Sequence, residues 1–198
     1  MLVAIEGIDG AGKNTLVRAL QEAAPAEVIS FPRYRESMPA ELAAEALHGR
    51  MGDCSDSPYA MATLFALDRY GARAELEGAD ARGLVLCDRY VASNAAYSLA
   101  RTGDHEIVRW VEELEFGRLG LPRPDLTVLL DTPPQLAGER AQQRERTDAT
   151  RARDVYERDA RLQERTWQAY LELARSGWSS RWLVTSKPRD ILVALGLD

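Results

Sequence analysis

Cysteine is scarce in this sequence, and the positions of its two cysteines exclude several kinds of site. Cys54 and Cys87 occur in neither a CxxC nor a Cys/His pattern, so the spacing of a thiolate zinc site or a redox dithiol is missing. Cys87 lies in an apolar, strand-like run, where a buried thiol acts as a small hydrophobic group. We therefore expect no disulfide and a reducing, cytoplasmic location.

Long apolar runs and a positive net charge are also missing. No segment approaches the roughly 18 consecutive apolar residues of a membrane span. The first apolar run, Leu2 to Ile5, stops at Glu6 and is too short for a signal peptide. The formal net charge is -6, so the electrostatic footprint of a general nucleic-acid binder is absent. We expect neither a membrane nor a nucleic acid among the partners.

The sequence does contain a series of short β-rich runs separated by helical patterns. Near-continuous apolar strands are typical of a parallel sheet that helices cover on both faces. The length suits one such domain, so we expect a single α/β domain over residues 1–198 with a doubly wound, five-stranded parallel sheet. The predicted strands are Leu2 to Glu6, Val28 to Phe31, Leu84 to Asp88, Leu126 to Asp131 and Trp182 to Thr185.

Several helix boundaries are marked by a serine shortly before a proline. The serine can cap the helix, and the first turn tolerates the proline. Gly177 predicts the end of a long helix that runs back towards Asp154. The stretch from Gln142 to Ala152 fits either a broken helix or a mobile loop. The capping pairs are Ser37 with Pro39, Ser57 with Pro58, and Ser186 with Pro188.

A glycine-rich segment, Gly7-Ile8-Asp9-Gly10-Ala11-Gly12-Lys13, lies between the first predicted strand and a helical pattern. Its glycines allow a backbone curl whose amides point at phosphate oxygens, at the positive end of the helix dipole. Lys13 can reach the β and γ phosphates, so the segment reads as a P-loop in a P-loop NTPase-type sheet rather than as a simple tight turn. One departure concerns magnesium. Asn14 stands where a Ser or Thr is usual, and Thr15 comes one residue late.

An acid and a cation follow the third predicted strand. Asp88 and Arg89 would lie at the carboxyl edge of the sheet, where ligands of open α/β folds bind. Asp88 could hold magnesium directly or through water, and Arg89 could clamp an acceptor phosphate. Without the P-loop, a local ion pair at a strand end would explain the two residues equally well.

Several segments together resemble the thymidylate kinase family, in particular its actinobacterial members. They follow the family order across nearly the whole chain, and Asp-Arg-Tyr with Ser-Asn close behind is the most diagnostic. The resemblance implies transfer of the γ-phosphoryl of ATP to dTMP, giving dTDP and ADP in dTTP synthesis. The segments are Gly7 to Lys13, Phe31-Pro32-Arg33-Tyr34, Phe65-Ala66-Leu67-Asp68-Arg69, Asp88-Arg89-Tyr90-Val91-Ala92-Ser93-Asn94, and the arginine-rich stretch leading to Asp154-Val155-Tyr156-Glu157.

The resemblance also implies a site for the thymine base. Phe65 and Arg69 are four residues apart and would share a helical face, where the ring stacks on thymine and the guanidinium meets its O4 edge. A core phenylalanine beside a surface arginine is the plainer interpretation of the pair. Asn94 is implied at the pyrimidine edge and Tyr97 beside the sugar 2′ position, with Ser93 on the same helical face.

The acceptor phosphate is implied to lie nearer the P-loop. Phe31 and Tyr34, together with Arg89, would surround it, and the Phe31–Pro32 bond is expected to be cis. Asp9 would face the acceptor's sugar or a metal ion.

Arginines are concentrated between residues 140 and 153. Taken alone, this stretch predicts a solvated, salt-bridged helix face. By the resemblance it is a lid that closes over the moving phosphoryl group and excludes water. Because the P-loop carries no arginine, the lid is expected to supply the charge. The matching basic positions are Arg140, Arg144, Arg151 and Arg153, and the residues returning towards the nucleotide site are Asp154, Tyr156 and Glu157.

The resulting prediction is an ATP- and Mg²⁺-dependent kinase that forms a homodimer through helices around Ser57 to Leu76 and Val91 to Glu115. The metal ligands are predicted to be Asp9 and Asp88. The predicted catalytic residues are Asp9, Lys13, Arg89, Arg144 and Arg151. The predicted ATP-binding residues are Gly7 to Thr15, Arg140 and Arg144.

Two alternatives stay open at this point. A kinase for another pyrimidine monophosphate would prefer dUMP, CMP or UMP to dTMP. A nucleotide-binding switch would bind ATP tightly but transfer no phosphoryl group to a free mononucleotide, because a P-loop alone does not define an enzyme. The acceptor-side segments argue against the switch.

Overall fold

A computed structural model describes residues 1–147 and 154–197, except for the side chains at 80, 81, 144 and 147. Its centre is a five-stranded sheet in the order β2-β3-β1-β4-β5, in which every neighbouring pair of strands is parallel. This confirms the predicted α/β class with a doubly wound parallel sheet. The strands are β1 (Leu2–Glu6), β2 (Ala26–Ser30), β3 (Leu84–Asp88), β4 (Leu126–Leu129) and β5 (Trp182–Val184).

Helices connect the successive strands, as parallel pairing requires. A 3-10 turn covers Cys54–Asp56, and a π-helical segment, Glu113–Arg118, continues α7. Within the described ranges, no helix is both long and apolar enough to cross a membrane. The helices are α1 (Lys13–Ala23), α2 (Met38–Leu47), α3 (Pro58–Gly71), α4 (Arg73–Glu77), α5 (Ala79–Arg82), α6 (Val91–Thr102), α7 (Glu106–Glu112), α8 (Pro134–Thr147), α9 (Val155–Arg158), α10 (Ala160–Ser176) and α11 (Pro188–Leu195).

The register of β1 and β3 places two sequence motifs side by side. Every residue of β1 is buried, as expected for a central strand covered on both faces. Ile5 is aligned with Asp88, and the Arg89 N–H donates to the Ile5 carbonyl over 3.0 Å. The P-loop after β1 and the acid–cation pair after β3 therefore begin at the same edge of the sheet.

Four strand ends differ from the prediction by one or two residues, and one of them is the start of β2, at Ala26 rather than Val28. β2 stops at Ser30 because Pro32 has no N–H to continue the ladder, although the Phe31 N–H still donates to the Asp88 carbonyl. β4 stops at Leu129, since the chain turns where the Thr132 N–H donates to the Leu130 carbonyl. β5 stops at Val184, which is the last residue paired with β4.

The capping predictions are confirmed at two helices and wrong at a third. Ser37 and Ser57 each accept a backbone N–H at the start of α2 and α3. The cap position of α11 is Lys187 rather than Ser186, and Thr185 accepts the Lys187 N–H over 3.1 Å.

The long helix before Gly177 begins later than predicted. Gly177 ends it in the left-handed conformation, as predicted, but Asp159 caps its start at Ala160. Asp154 instead caps the separate short helix α9. Two nearby aspartates compete to cap the same stretch of chain, and each one starts its own helix. Of the uncertain stretch from Gln142 to Ala152, the part up to Thr147 continues α8, and the rest lies outside the described residues.

Candidate active site

The P-loop wraps around the Lys13 side chain. The Lys13 ammonium donates to the carbonyls of Gly7 and Ile8 over 3.0 Å each, so it lies within the curl of the loop. Gly10 has φ +81°, and a Cβ there would lie 2.1 Å from the Ala137 carbonyl oxygen. Only glycine fits such an approach, which lets α8 pack directly on the loop. Burial and the nearby Arg89 charge lower the pKa of Lys13 to about 8.

A polar cavity of about 550 Å³ opens over this loop. The backbone amides at the start of α1 and the cations around the cavity suit a chain of phosphates. Asn14 and Thr15 are exposed within it, and Arg140 reaches the loop with Nη1 3.5 Å from the Ala11 carbonyl. We call this the phosphate cavity. Its lining residues are Asp9, Gly10, Gly12, Lys13, Asn14, Thr15, Arg18, Phe31, Asp88, Arg89, Arg140 and Glu157.

A second cavity, of about 220 Å³, adjoins the first. Its walls are mainly apolar and aromatic, with several polar side chains among them, as is usual for a small-molecule site. Part of its wall is a small hydrophobic cluster between α2 and α3, which includes Leu47 and Met61 with Phe65 packed against them. We call this the acceptor cavity. Its lining residues include Asp9, Phe31, Tyr34, Phe65, Arg69, Arg89, Ser93, Asn94, Tyr97, Arg101, Asp154, Tyr156 and Glu157.

Asp9 lies where the two cavities meet. Its carboxylate accepts from Arg89 Nη2 and, over 2.6 Å, from the Tyr97 hydroxyl. Burial acts to raise the pKa of Asp9, but the charges of Arg89 and Lys13 more than offset burial and lower that pKa to about 2. Asp9 is therefore ionised at neutral pH and joins the P-loop to helix α6.

Arg89 is held in an unusual backbone conformation. Its φ is +67°, in the left-handed region that non-glycine residues rarely adopt. Its side chain pairs with Asp9 and donates from Nη1 to Ser93 Oγ over 3.2 Å. Asp9, aided by further nearby negative groups, raises the Arg89 pKa despite the opposing effect of burial. The structure therefore brings Arg89 to both cavities as a permanent cation.

Asp88 provides an oxygen that suits a metal ion. Its Oδ1 is buried on the wall of the phosphate cavity and has no hydrogen-bond partner in the described part of the chain. A carboxylate oxygen without a partner is a hard ligand of the kind that Mg²⁺ prefers. In the described ranges, no group of three or more acidic, His or Cys side chains is arranged to hold a metal ion, so phosphate oxygens and water would complete such a site.

Arg69 and Asn94 line the acceptor cavity, and both donate to Glu115. Arg69 donates to the Glu115 carboxylate from Nε over 2.5 Å and from Nη2 over 2.8 Å. Asn94 Nδ2 donates to the same carboxylate over 2.7 Å. Arg69 is buried, so the plainer interpretation of it as a surface residue is wrong. Sequence reasoning missed Glu115, because no motif distinguishes it from the neighbouring acids Glu112 and Glu113.

Ser93 serves a buried network as well as the cavity. Its hydroxyl donates to Glu6 over 2.6 Å, and Glu6 also accepts the Tyr90 N–H over 2.8 Å and the Tyr170 hydroxyl over 2.9 Å. Burial raises the Glu6 pKa even though these bonds favour the charged form. Sequence reasoning missed Glu6 as well. An acid ending an otherwise apolar, fully buried strand was the signal available.

The residues after the arginine-rich stretch reach the acceptor cavity. Asp154 caps α9, and Tyr156 and Glu157 line the cavity wall. Gln163, which sequence reasoning did not single out, donates to the Tyr156 carbonyl over 3.0 Å and accepts the Asp9 N–H over 3.3 Å. Among the predicted lid arginines, only the Arg140 side chain lies within the described part of the chain. The side chain of Arg144 lies outside it, as do Arg151 and Arg153 entirely.

The Phe31–Pro32 bond is cis, as the resemblance implied, and both residues lie at the acceptor cavity. A P-loop over one cavity, with a second ligand cavity beside it and a cation between them, is the arrangement of a P-loop kinase.

Comparison with known proteins gives the family. The thymidylate kinase family model matches residues 5–193. Thymidylate kinase of Mycobacterium tuberculosis is 54% identical over 96% of this chain and 93% of its own. A probable thymidylate kinase of Archaeoglobus fulgidus is 36% identical over 73% of this chain and 70% of its own. One from Pyrobaculum aerophilum is 33% identical over 72% and 70%. The chain belongs to the thymidylate kinase family, which confirms the predicted resemblance and makes the protein a kinase.

Proposed function

We propose that ATP occupies the phosphate cavity and dTMP the acceptor cavity. The γ-phosphoryl group then passes from one to the other where the two cavities adjoin. The protein transfers this group from ATP to dTMP, giving dTDP and ADP. The observation that carries the assignment is the shared wall, because Asp9, Phe31, Arg89 and Glu157 line both cavities. An acceptor phosphate beside Arg89 would lie next to the end of the ATP phosphate chain.

On the donor side, the loop amides from Gly7 to Thr15 hold the ATP phosphates, and Lys13 shifts from its carbonyl partners to the β and γ phosphates. These two hydrogen bonds, each 3.0 Å long, keep the ammonium inside the loop until a stronger, charged acceptor arrives. Thr15 and Arg140 reach the same phosphates from either side of the cavity.

On the acceptor side, Arg89 holds the dTMP phosphate while Phe31 and Tyr34 close around it. Phe65 stacks on the thymine ring, and Arg69 and Asn94 meet its polar edge. Tyr97 fills the space beside the sugar 2′ position, where its bond to Asp9 fixes the hydroxyl. The positions of these side chains on one cavity wall support the assignment.

Catalysis here is positioning together with charge stabilisation, because phosphoryl transfer leaves little covalent work for the protein. Lys13 and Arg89 both line the phosphate cavity and bring positive charge to the transferred group, and Asp9 orients Arg89. Arg140, Arg144, Arg151 and Arg153 form the lid that brings further positive charge and excludes water. Asp154, Tyr156 and Glu157 carry the end of the lid back to the acceptor.

Magnesium is the metal that this site fits. Asp88, with its unpartnered oxygen, and Asp9 would hold it together with phosphate oxygens and water. When bound, the ion neutralises charge on the β and γ phosphates. Asn14 offers an amide oxygen where a hydroxyl is usual, so the carboxylates carry more of the metal binding.

The chain is proposed to form one domain over residues 1–198, to work in the cytoplasm and to pair as a homodimer. Support for pairing comes from α3, on which Tyr59, Leu67 and Tyr70 are large, exposed hydrophobic side chains. Such side chains on one helix suit an interface between copies. Sedimentation velocity of the wild type and of Leu67→Glu would test the dimer.

A coupled ADP-release assay over a panel of nucleoside monophosphates tests the function. We expect ADP release that depends on dTMP, with one dTDP formed for each ADP, and weaker turnover of dUMP, dCMP and UMP. Release that ignores the added monophosphate, or that favours another one, would contradict the proposal.

A further inference from the structure

Glu115 is a fully buried acid in the π-helical segment that continues α7. Such segments are rare and often occur at functional sites, because the wider turn redirects side chains. The carboxylate accepts three hydrogen bonds, two from Arg69 and one from Asn94. Both donors line the acceptor cavity, where the proposed function places the thymine base. Glu115 therefore holds two of the side chains that are proposed to bind the base.

The hydrogen bonds of Asn94 fix which end of its amide is available. Nδ2 donates to the Ala62 carbonyl over 2.9 Å and to Glu115 over 2.7 Å, which uses both of its hydrogens. Turning the amide over would point its oxygen at two acceptors. Oδ1 is therefore the polar atom of Asn94 left for a ligand, and it can only accept.

The ion pair fixes Arg69 in the same way. Nε and Nη2 donate to the two Glu115 oxygens. Although burial acts to lower the pKa of Arg69, the charge of Glu115 more than offsets this and raises it. Nη1 is the nitrogen left for a ligand, and it can only donate. Of the two side chains that line the acceptor cavity, Asn94 therefore offers an acceptor and Arg69 a donor.

We propose that Glu115 is a positioning residue for base specificity: together with the Ala62 carbonyl it holds Asn94 as an acceptor, and it holds Arg69 as a donor, towards the base edge. This proposal rests on the proposed function, since it takes the acceptor cavity as the base site. A 4-oxo pyrimidine has an N3–H donor beside an O4 acceptor and matches both groups. A 4-amino pyrimidine has the opposite pattern, so both of its groups would face groups of their own kind.

The plainer role for Glu115 is structural, as the ion-pair partner that ties α3 to the π-helical segment. The two roles predict different results. Loss of a structural tie lowers activity towards every monophosphate in proportion. Loss of base recognition changes the ratio of kcat/KM between two substrates that differ only at the base edge.

The first test uses the wild-type protein and two substrates, dTMP and 5-methyl-dCMP. These share the sugar, phosphate and 5-methyl group and differ only at N3 and the 4-substituent. We expect kcat/KM to favour dTMP by at least about 1,000-fold, because sites built from buried polar groups reject mismatched partners strongly. Use of 5-methyl-dCMP within about tenfold of dTMP would overturn the proposal, and this test needs no variant.

The second test is Glu115→Gln, which places an amide where all three bonds need an acceptor. Its N–H must then face a donor of either Arg69 or Asn94, so at least one of these side chains is no longer held towards the base edge. We expect the dTMP to 5-methyl-dCMP ratio of kcat/KM to fall at least tenfold, while the KM for ATP stays within about twofold. Circular dichroism and the thermal midpoint check that the variant is folded.

Glu113→Gln is the matched control, because Glu113 lies in the same segment but pairs with Arg118 at the surface. It should leave both substrates unchanged. A parallel loss for both substrates in Glu115→Gln, with the ratio kept, would assign Glu115 the structural role and overturn the proposal. Failure of the wild type to phosphorylate dTMP at all would instead contradict the proposed function.

Discussion

Tyr97 donates its hydroxyl to the Asp9 carboxylate over 2.6 Å, and this bond joins the acceptor cavity to the P-loop. Asp9 belongs to the loop that holds phosphates, whereas Tyr97 lies on α6 within the acceptor wall. Arg89 binds the same carboxylate from the end of β3. The donor and acceptor sites are thus held in register by side chains around one partly buried acid.

Arg89→Ala should weaken the acceptor site more than the donor site. We expect kcat/KM for dTMP to fall by about 10- to 100-fold, since a charge-assisted contact contributes about 1.5 to 3 kcal/mol. Titration calorimetry should show ATP affinity within a few-fold of the wild type. Arg73→Ala, which breaks a surface pair with Glu77, is the control and should change neither substrate. An equal loss of ATP binding would move Arg89 to the donor site.

The magnesium requirement should depend on the carboxylates rather than on Asn14. Asn14→Ala should be mild, because water can replace a missing side-chain oxygen around Mg²⁺. Asp9→Ala and Lys13→Ala should each lower kcat severely. Initial rates measured against magnesium concentration compare the three variants. The assignment fails if Asn14→Ala raises the magnesium requirement strongly while Asp9→Ala stays near normal.

The pH dependence of ATP use should report Lys13. The lysine must be protonated to pair with phosphates, and its pKa is lowered to about 8. We therefore expect kcat/KM for ATP, which reflects groups of the free enzyme, to be constant below about pH 7. Above about pH 8 it should fall roughly tenfold per pH unit. Lys13→Arg, whose guanidinium stays protonated, should remove this decline even if its activity is lower. A wild-type profile that stays flat to pH 10 would contradict the proposed dependence of ATP use on the protonation of Lys13.

Glu6→Ala should destabilise the fold. The change leaves buried donors from Tyr90, Ser93 and Tyr170 without their acceptor. The free energy of unfolding should fall by at least about 1 to 3 kcal/mol, the usual effect of leaving buried donors unsatisfied. Urea unfolding measures it. Glu27→Ala at the surface is the control, with an expected change within about 0.5 kcal/mol. Equal effects of the two changes would show that the Glu6 network is unimportant for stability.

The sequence predicts the strand-borne parts of this site well. β1 and β3 have the predicted bounds, and the P-loop and the Asp88–Arg89 pair follow directly from them. These features depend on neighbouring residues, so a local pattern is sufficient. The same holds for the caps at Ser37 and Ser57, whereas Ser186 was wrong because the helix begins one residue later, with Lys187 at the cap position.

The residues that connect the site were not predictable in this way. Glu6, Glu115 and Gln163 each bind side chains from distant parts of the chain, and no spacing along the sequence marks those contacts. Glu115 also depends on a π-helical turn, which no local pattern indicated. The roles of Arg144 and Arg151 in the lid stay predictions.

Competition by a bisubstrate analogue tests most directly whether ATP and dTMP bind in adjoining cavities. The analogue joins adenosine and thymidine through their 5′ positions by a polyphosphate bridge. If the γ-phosphoryl group passes directly between the two cavities beside Asp9 and Arg89, one molecule should fill both cavities. Its inhibition should then be competitive against ATP and also against dTMP. Inhibition competitive against only one substrate, with the other bound alongside, would contradict a shared wall.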